Sequence, residues 1–408
     1  MDQVQQQIEK HIEALGQFTA TPGKGTTRLT YSKEDLQARN YIKERMQEYG
    51  LQVREDGLGN IFGKLEGTLQ DAPSVLIGSH FDSVPNGGSY DGPAGVVVAL
   101  EVARLFSENK LTPHYPLEVI ALVEEEGARF AGGLMGSRGM MGLLSAEDFK
   151  SLKDRDGIST VEAMETIGLD TTLPTYRDPK TIKAFLEMHI EQGPMLEEKN
   201  IPIGVVEAIV GLTQLNITIS GQAGHAGTTP MAGRADALVA AASIIAQFPQ
   251  LALDEGAGAV ITTGRLNVFP NGANVIPNKV IFTVDMRAGK EENVLNMVEK
   301  VKSLVMSYSK DGIDVAIEQP LYMKPKVMNQ EIIGLLKEAC DAKDIPYCSI
   351  NSGAGHDAMV FSDYIDTAML FIPSKDGLSH CPEEWSDSAH IANAVYLFYE
   401  AAKKLTES

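Results

Sequence analysis

The sequence predicts an α/β chain built on a largely parallel sheet and interrupted by a smaller α+β insert of ferredoxin-like order. Three observations carry this. Short apolar runs alternate with a helical pattern early in the chain, and the period changes to strict alternation from about Leu212. At 408 residues with 43% hydrophobic content, the chain also exceeds the length at which one core usually stops growing. The expected division is 1–211 and 326–408 for the larger domain, with 212–325 as the insert.

The N-terminal MDQVQQQIEKHIEALG reads as an amphipathic helix without the basic start, apolar stretch and cleavage site of a signal peptide. Ser74-Val-Leu-Ile-Gly78 is wholly apolar, the mark of a strand buried on both faces. Pro116 to Val123 is a second such run, and Gly95 to Phe106 between them has helical character, which completes a strand-helix-strand unit. Ala184 to Met188 is a third strand. In the insert, Leu215 to Ser220 alternates as a half-exposed strand should. A helix over Arg234–Phe248, strands near Gly258–Val268 and Lys279–Arg287, a helix over Glu292–Tyr308 and a strand at Ile313–Glu318 give the order β-α-β-β-α-β. Pro320 and Pro325 mark the exit, and a helix at Glu331–Lys343 resumes the α/β pattern.

Composition narrows the partners. With 35 Lys+Arg against 55 Asp+Glu, the net charge of −20 argues against nucleic acid and anionic membranes. It leaves small anionic substrates open, because one local Arg outweighs a distant field screened over roughly 8 to 10 Å. Cys340, Cys348 and Cys381 show no metal-knuckle spacing and are odd in number, so a reducing cytoplasm is expected rather than a disulfide framework. No uninterrupted run of 18 apolar residues is present, and no membrane span is expected.

The chemistry-bearing residues fall mostly at the ends of apolar runs. His80 and Asp82 follow the first strand, and their alternation puts one side chain in place to ligate while the other orients it. Asp91, in Tyr90-Asp91-Gly92-Pro93, stands before a helix, where it serves either as an N-cap or as a carboxylate bridging two metals. Glu124, Glu125 and Glu126 end the second strand. They form either a solvated charge run or a site in which one glutamate ligates and its neighbour acts as base, with Gly127 permitting a tight turn. His189 ends the third strand, and a lone His there is more often a core residue. His380 stands in the loop Gly377-Leu-Ser379-His380-Cys381-Pro382. Imidazoles and carboxylates gathered by folding would suit two divalent first-row cations and a hydrolytic reaction. In the insert, Gly224-His225-Ala-Gly-Thr-Thr-Pro-Met231 is either a simple strand-helix turn or a functional loop, and Asp285 with Arg287 is either a surface salt bridge or part of a binding face. Gly353-Ala-Gly355-His356-Asp357 is either a turn or a close approach to a ligand.

These motifs, in order along nearly the whole chain, resemble the M20-type metallopeptidase superfamily, and within it the amidase, hydantoinase and carbamoylase branch. The resemblance rests on Gly78-Ser-His80-Phe-Asp82-Ser-Val-Pro, Tyr90-Asp91-Gly92, Glu125-Glu126-Gly127-Ala-Arg129-Phe130, His189-Ile-Glu191-Gln192-Gly193, Gly224 to Met231, Asp285-Met-Arg287 and Gly377-Leu-Ser-His380. His189, where peptidase relatives usually carry a carboxylate, points to this branch. The resemblance implies a two-metal exopeptidase-like catalytic domain whose insert is a lid and dimerisation domain. One metal is then expected on His80, Asp91 and His189, and the other on Asp91, Glu126 and His380, with zinc, manganese, cobalt or nickel all compatible. Asp82 is expected to orient His80 and Glu125 to be the general base. A homodimer is expected, with His225 reaching a neighbouring site as an oxyanion donor. Asn274 and Arg287 are expected to grip a substrate carboxylate, with Gln192, Gly355 and His356 lining the pocket. The implied activity is hydrolysis of N-carbamoyl-L-amino acids. Alternatives are an allantoate amidohydrolase, a dipeptidase or aminoacylase and, from another class, a non-catalytic binding protein of the same fold, which would be expected to lack ligands or base.

Overall fold

The computed structural model describes residues 3–130, 132–256 and 258–407, and the chain divides into two units. The larger comprises the N-terminal part to Glu207, Met328–Ile350 and the part from Gly355 onward. The smaller comprises Ala208–Val327 and Asn351–Ala354. The expected divisions at 211 and 325 thus differ by a few residues, and the short return 351–354 sits with the smaller unit. Val210 N donates to Ser352 O, and that backbone bond ties the return to the insert.

In the larger unit the sheet runs in the order Gln52–Glu55, Ile61–Leu65, Leu117–Leu122, Ser74–His80, Ile182–Ile190, Asp366–Ile372, Ile203–Ile209. The middle four strands are parallel to one another. Ser74–His80 and Leu117–Leu122 are buried along their whole length, as strands covered on both faces must be. Glu118 is tolerated in that interior because Arg177 forks onto both its oxygens at 2.9 Å and Ser74 donates at 2.7 Å; charges in such places need partners. Helices Gln3–Gly16, Pro93–Glu108 and Ser388–Glu407 pack against one another, and burial of Val96, Val97, Leu100, Val395 and Phe398 supplies much of the core.

The smaller unit has an antiparallel sheet in the order Leu266–Phe269, Lys279–Ala288, Gly211–Ser220, Asp314–Met323, which with its helices gives the β-α-β-β-α-β order. Strict alternation of burial in Lys279–Ala288 puts Val280, Phe282, Val284 and Met286 into one core with Val294, Met297 and Val301 of helix Glu291–Met306. Asp285 and Arg287 therefore stand on the other face. The strand expected at 258–268 is two pieces, Val260–Thr262 and Leu266–Phe269, both paired to Lys279–Ala288. The helix expected from Arg234 begins at Ala237, because Asp236 caps it by accepting from Leu238 N and Val239 N. The segment Ala237–Glu255 is long and apolar enough to cross a membrane by length and composition. It is two helices here, and its Ala237, Ala240, Ala241, Ile244 and Phe248 belong to the core beneath the sheet.

Candidate metal centre

Four parallel strands deliver the cluster. His80 ends Ser74–His80, and Glu124 to Glu126 follow Leu117–Leu122. His189 is next to last in Ile182–Ile190, and the chain leaving Asp366–Ile372 supplies Ser379 and His380. Open α/β sheets leave a ligand crevice at the carboxyl ends of such strands.

Asp91 is the centre of the arrangement. Helix Pro93–Glu108 has Gly92 as its N-cap with no side-chain bond, which removes the capping reading of Asp91. Its Oδ1 lies 3.4 Å from His80 Nε2 and 3.1 Å from His189 Nε2, and its Oδ2 lies 3.4 Å from His380 Nε2. Glu126 Oε2 is also 3.4 Å from His380 Nε2. Two donor sets thus share one carboxylate: His80, Asp91, His189 and Asp91, Glu126, His380, each with atoms within 4.8 Å of one another. Gly92 follows Asp91 at φ +78°, and a Cβ there would strike the His80 ring, so both the turn and the close approach require glycine.

The electrostatics suit cations. His80 Nε2 and His189 Nε2 face each other at 3.4 Å. The other nitrogen of His189 lies 2.9 Å from the Ile190 carbonyl; it carries a proton there and leaves Nε2 as a ligand atom. Burial opposes charge on His80, yet Glu125, Asp82 and Asp91 hold its pKa well above the usual imidazole value. His189 is raised likewise against burial, by Asp91. Burial would raise Asp91, but the three histidines hold it well below the carboxylate range. Burial, with Asp91 beside it, pushes Glu126 up to about 7. Carboxylates that draw protons onto their neighbours are short of positive charge, and divalent cations supply it. Glu126 Oε1 and Gln192 Oε1 are buried acceptors without a hydrogen-bond partner, which also fits a cation or a polar ligand.

The glutamate run is not solvated. Glu124 adopts φ +52° and accepts from Arg129 N at 3.1 Å and Phe130 N at 2.5 Å, so it builds the turn. Gln192 and His380 also take left-handed φ values; such non-glycine residues cost on the order of 1 to 3 kcal/mol each and gather at functional sites. Glu125 Oε2 stands 3.8 Å from His80 Nε2. Burial raises Glu125 well above the carboxylate range, against the pull of His80 and with Asp357 and Glu126 adding to it. Asp82 accepts from Glu125 N at 3.1 Å and Glu126 N at 3.3 Å, with its Oδ1 3.5 Å from His80 Nδ1. One carboxylate therefore holds the backbone of both glutamates and lies beside the His80 ring, whose buried Nδ1 makes no hydrogen bond.

The expected substrate residues are less uniform. Gln192 Nε2 donates to Asp91 Oδ2 at 2.7 Å. His356 is buried with its ring 4.4 Å from that of His189, and burial holds its pKa well below the usual value, so a neutral ring packs behind a ligand instead of facing an open pocket. Gly355 is exposed. In the smaller unit, His225 and Asn274 share a short ribbon in which Val275 pairs with His225 and Ala226 N donates to Asn274 O. Arg234, which the sequence marks only as the start of a helix, braces that loop through Ala226 O and Thr229 O at 2.9 and 2.6 Å. Arg287 makes a salt bridge, with Nε 2.8 Å from Asp285 Oδ1, and a terminal nitrogen donates to Gly353 O. The sequence gives no sign of Glu384, and names Ser379 and Asp357 only as members of the loops that carry His380 and His356. Ser137 donates to Asp357 at 2.5 Å, and burial with Glu187 nearby pushes Asp357 up to about 8.

Comparison with known proteins agrees with this geometry. Residues 76–404 match Peptidase family M20/M25/M40. The chain is 42% identical over 403 residues to an N-carbamoyl-L-amino-acid amidohydrolase of Paenarthrobacter aurescens, covering 98% of each chain. It is 38% identical to an allantoate amidohydrolase of Escherichia coli, over 96% of this chain and 95% of that one. A solved amidase of the hydantoinase/carbamoylase family from Burkholderia multivorans superposes with a TM-score of 0.92 at 34% identity, covering 99% and 98%. The protein belongs to the M20 peptidase family and is a hydrolase acting on carbon-nitrogen bonds of linear amides.

Proposed function

We propose that the protein hydrolyses N-carbamoyl-L-amino acids to the L-amino acid, carbon dioxide and ammonia, with two divalent cations held by His80, Asp91 and His189 and by Asp91, Glu126 and His380. The observation that carries the hydrolytic part is the sharing of Asp91 between two donor sets beside Glu125, which belongs to neither set and lies 3.8 Å from His80 Nε2. The substrate part leans on the relative that is 42% identical. Bound cations would polarise the carbamoyl carbonyl and make a nearby water more acidic. Glu125 takes a proton from the attacking water and returns it to the leaving nitrogen. Asp82 keeps Glu125 in place through its backbone, and Gln192 keeps Asp91 in place through its amide. In the same reading Asn274 and Arg287 receive the substrate carboxylate, and His225 donates to the developing oxyanion. The protein then works as a cytoplasmic homodimer without nucleic-acid or membrane partners; its three unbridged cysteines suit a reducing compartment.

Allantoate is the second reading, favoured by the 38% identical allantoate amidohydrolase. Ammonia release from N-carbamoyl-L-methionine and from allantoate, and free amino acid from N-acetyl-L-methionine and from a dipeptide, each with the metal-reconstituted protein, separate the cases. The highest kcat/KM is expected for N-carbamoyl-L-methionine. A higher value for allantoate would replace the substrate, and a preference for the dipeptide or acetyl substrate would replace the ureido class.

A further inference from the structure

We infer that Glu384 is a positioning residue that ties the Asp91 turn to the His380 loop and thereby sets cation affinity in the Asp91, Glu126, His380 donor set. The inference rests on the two-cation reading above. Glu384 is 5% exposed, a costly place for a carboxylate unless its oxygens are fully engaged. Its Oε1 accepts from Tyr90 N at 2.9 Å and Asp91 N at 3.0 Å. Oε2 accepts from His380 N at 3.3 Å and lies 3.0 Å from Ser379 Oγ. One side chain thus holds the backbone of two expected ligands, at 91 and 380, that lie far apart in the chain.

Two further observations point the same way. Gly88 leaves the room: a Cβ built there would fall onto the Glu384 carboxyl group and its Cβ, so relief would need backbone movement. Ser379 Oγ also lies 2.6 Å from Asp91 Oδ2, yet a hydroxyl has a single proton to give. The shorter contact assigns that proton to Asp91. With Asp91 engaged by a cation, Glu384 Oε2 would be the alternative acceptor for that proton. His380 needs this support more than the other ligands do. Its side chain is 48% exposed, against 1% for His80 and His189, and it adopts φ +58°.

Glu384→Gln keeps the shape but turns an acceptor beside His380 N and Ser379 Oγ into an amide donor. Manganese binding by equilibrium dialysis with elemental analysis, on the full-length apoprotein, reads the effect without any turnover. Wild type is expected to bind two equivalents. Glu384→Gln is expected to weaken the second by about 10- to 100-fold, the usual cost of losing a partner that orients a ligand, with a smaller change in the first and an unchanged melting temperature of the metal-free protein. Gly88→Ala should shift the second equivalent in the same direction. Both equivalents bound at wild-type affinity by Glu384→Gln would overturn the inference. So would an equal loss of both accompanied by a lower metal-free melting temperature, which would make Glu384 a general support of the fold. Fewer than two equivalents in wild type would instead overturn the two-cation reading.

Discussion

His80, Asp91 and His189 are almost wholly buried, whereas His225 and Asn274 are exposed and Arg287 is half-buried. In the larger unit the buried groups face one another: Asp91 meets three histidines, and Asp82 holds the glutamate backbone. In the smaller unit the polar groups meet water or one another, and Arg287 is occupied by Asp285 and Gly353 O. A buried charge is expensive to leave unmatched, so its neighbours define it. An exposed one can exchange partners at little cost. The metal-binding part is therefore preorganised, while recognition of a substrate carboxylate by Arg287 requires it to give up contacts it already has.

Substitutions in the two regions should differ in kind as well as size. Glu125→Gln should retain both cations and substrate affinity yet lose roughly 10²- to 10⁴-fold in kcat, the usual contribution of a general acid-base group. Near wild-type turnover with both metals bound would remove Glu125 from that role. His225→Ala should lower kcat by roughly 10²- to 10³-fold if it acts as a single oxyanion donor, and it should leave metal content unchanged because neither donor set includes it. If His225 acts on the site of a second copy, mixing this variant with Glu125→Gln should regain activity from two inactive parents. No recovery after verified subunit exchange would count against a shared site. Arg287→Lys should have the smallest effect, roughly tenfold in kcat/KM for N-carbamoyl-L-methionine, in line with loss of a hydrogen bond to a charged group. The carboxamide of that substrate should be poor for wild type and little changed by the substitution. An equal fractional loss on both substrates would mean that Arg287 supports the strand through Asp285 rather than recognising the carboxylate.

The same contrast explains what the sequence reveals. His80, Glu124 to Glu126 and His189 are legible because each interrupts or ends an apolar run, and the sheet is parallel where those runs are continuous. The ferredoxin-like order is legible because alternation in 215–220 and 279–287 survives as alternating burial. Glu384 is not legible: it is one of two glutamates in an ordinary polar loop, and its role appears only when folding brings it to Tyr90 N, 294 positions away. Arg234 is read as the start of a helix because nothing local shows that its guanidinium turns back to carbonyls of the His225 loop. His356 looks like a pocket residue beside two glycines, but its ring is covered by His189 and Phe371. Partners distant in sequence, and the choice between a buried and an open face, are settled by tertiary packing.

The central claim is that Asp91 serves two cations at once. Asp91→Ala removes the only carboxylate common to both donor sets among the described residues. Elemental analysis of wild type and this variant, reconstituted in parallel and desalted identically, tests it most directly. The expected result is two equivalents per chain in wild type and substantially less than one in Asp91→Ala, with the folded state retained by circular dichroism. Two full equivalents in the variant would contradict the shared carboxylate, and one would assign Asp91 to a single site.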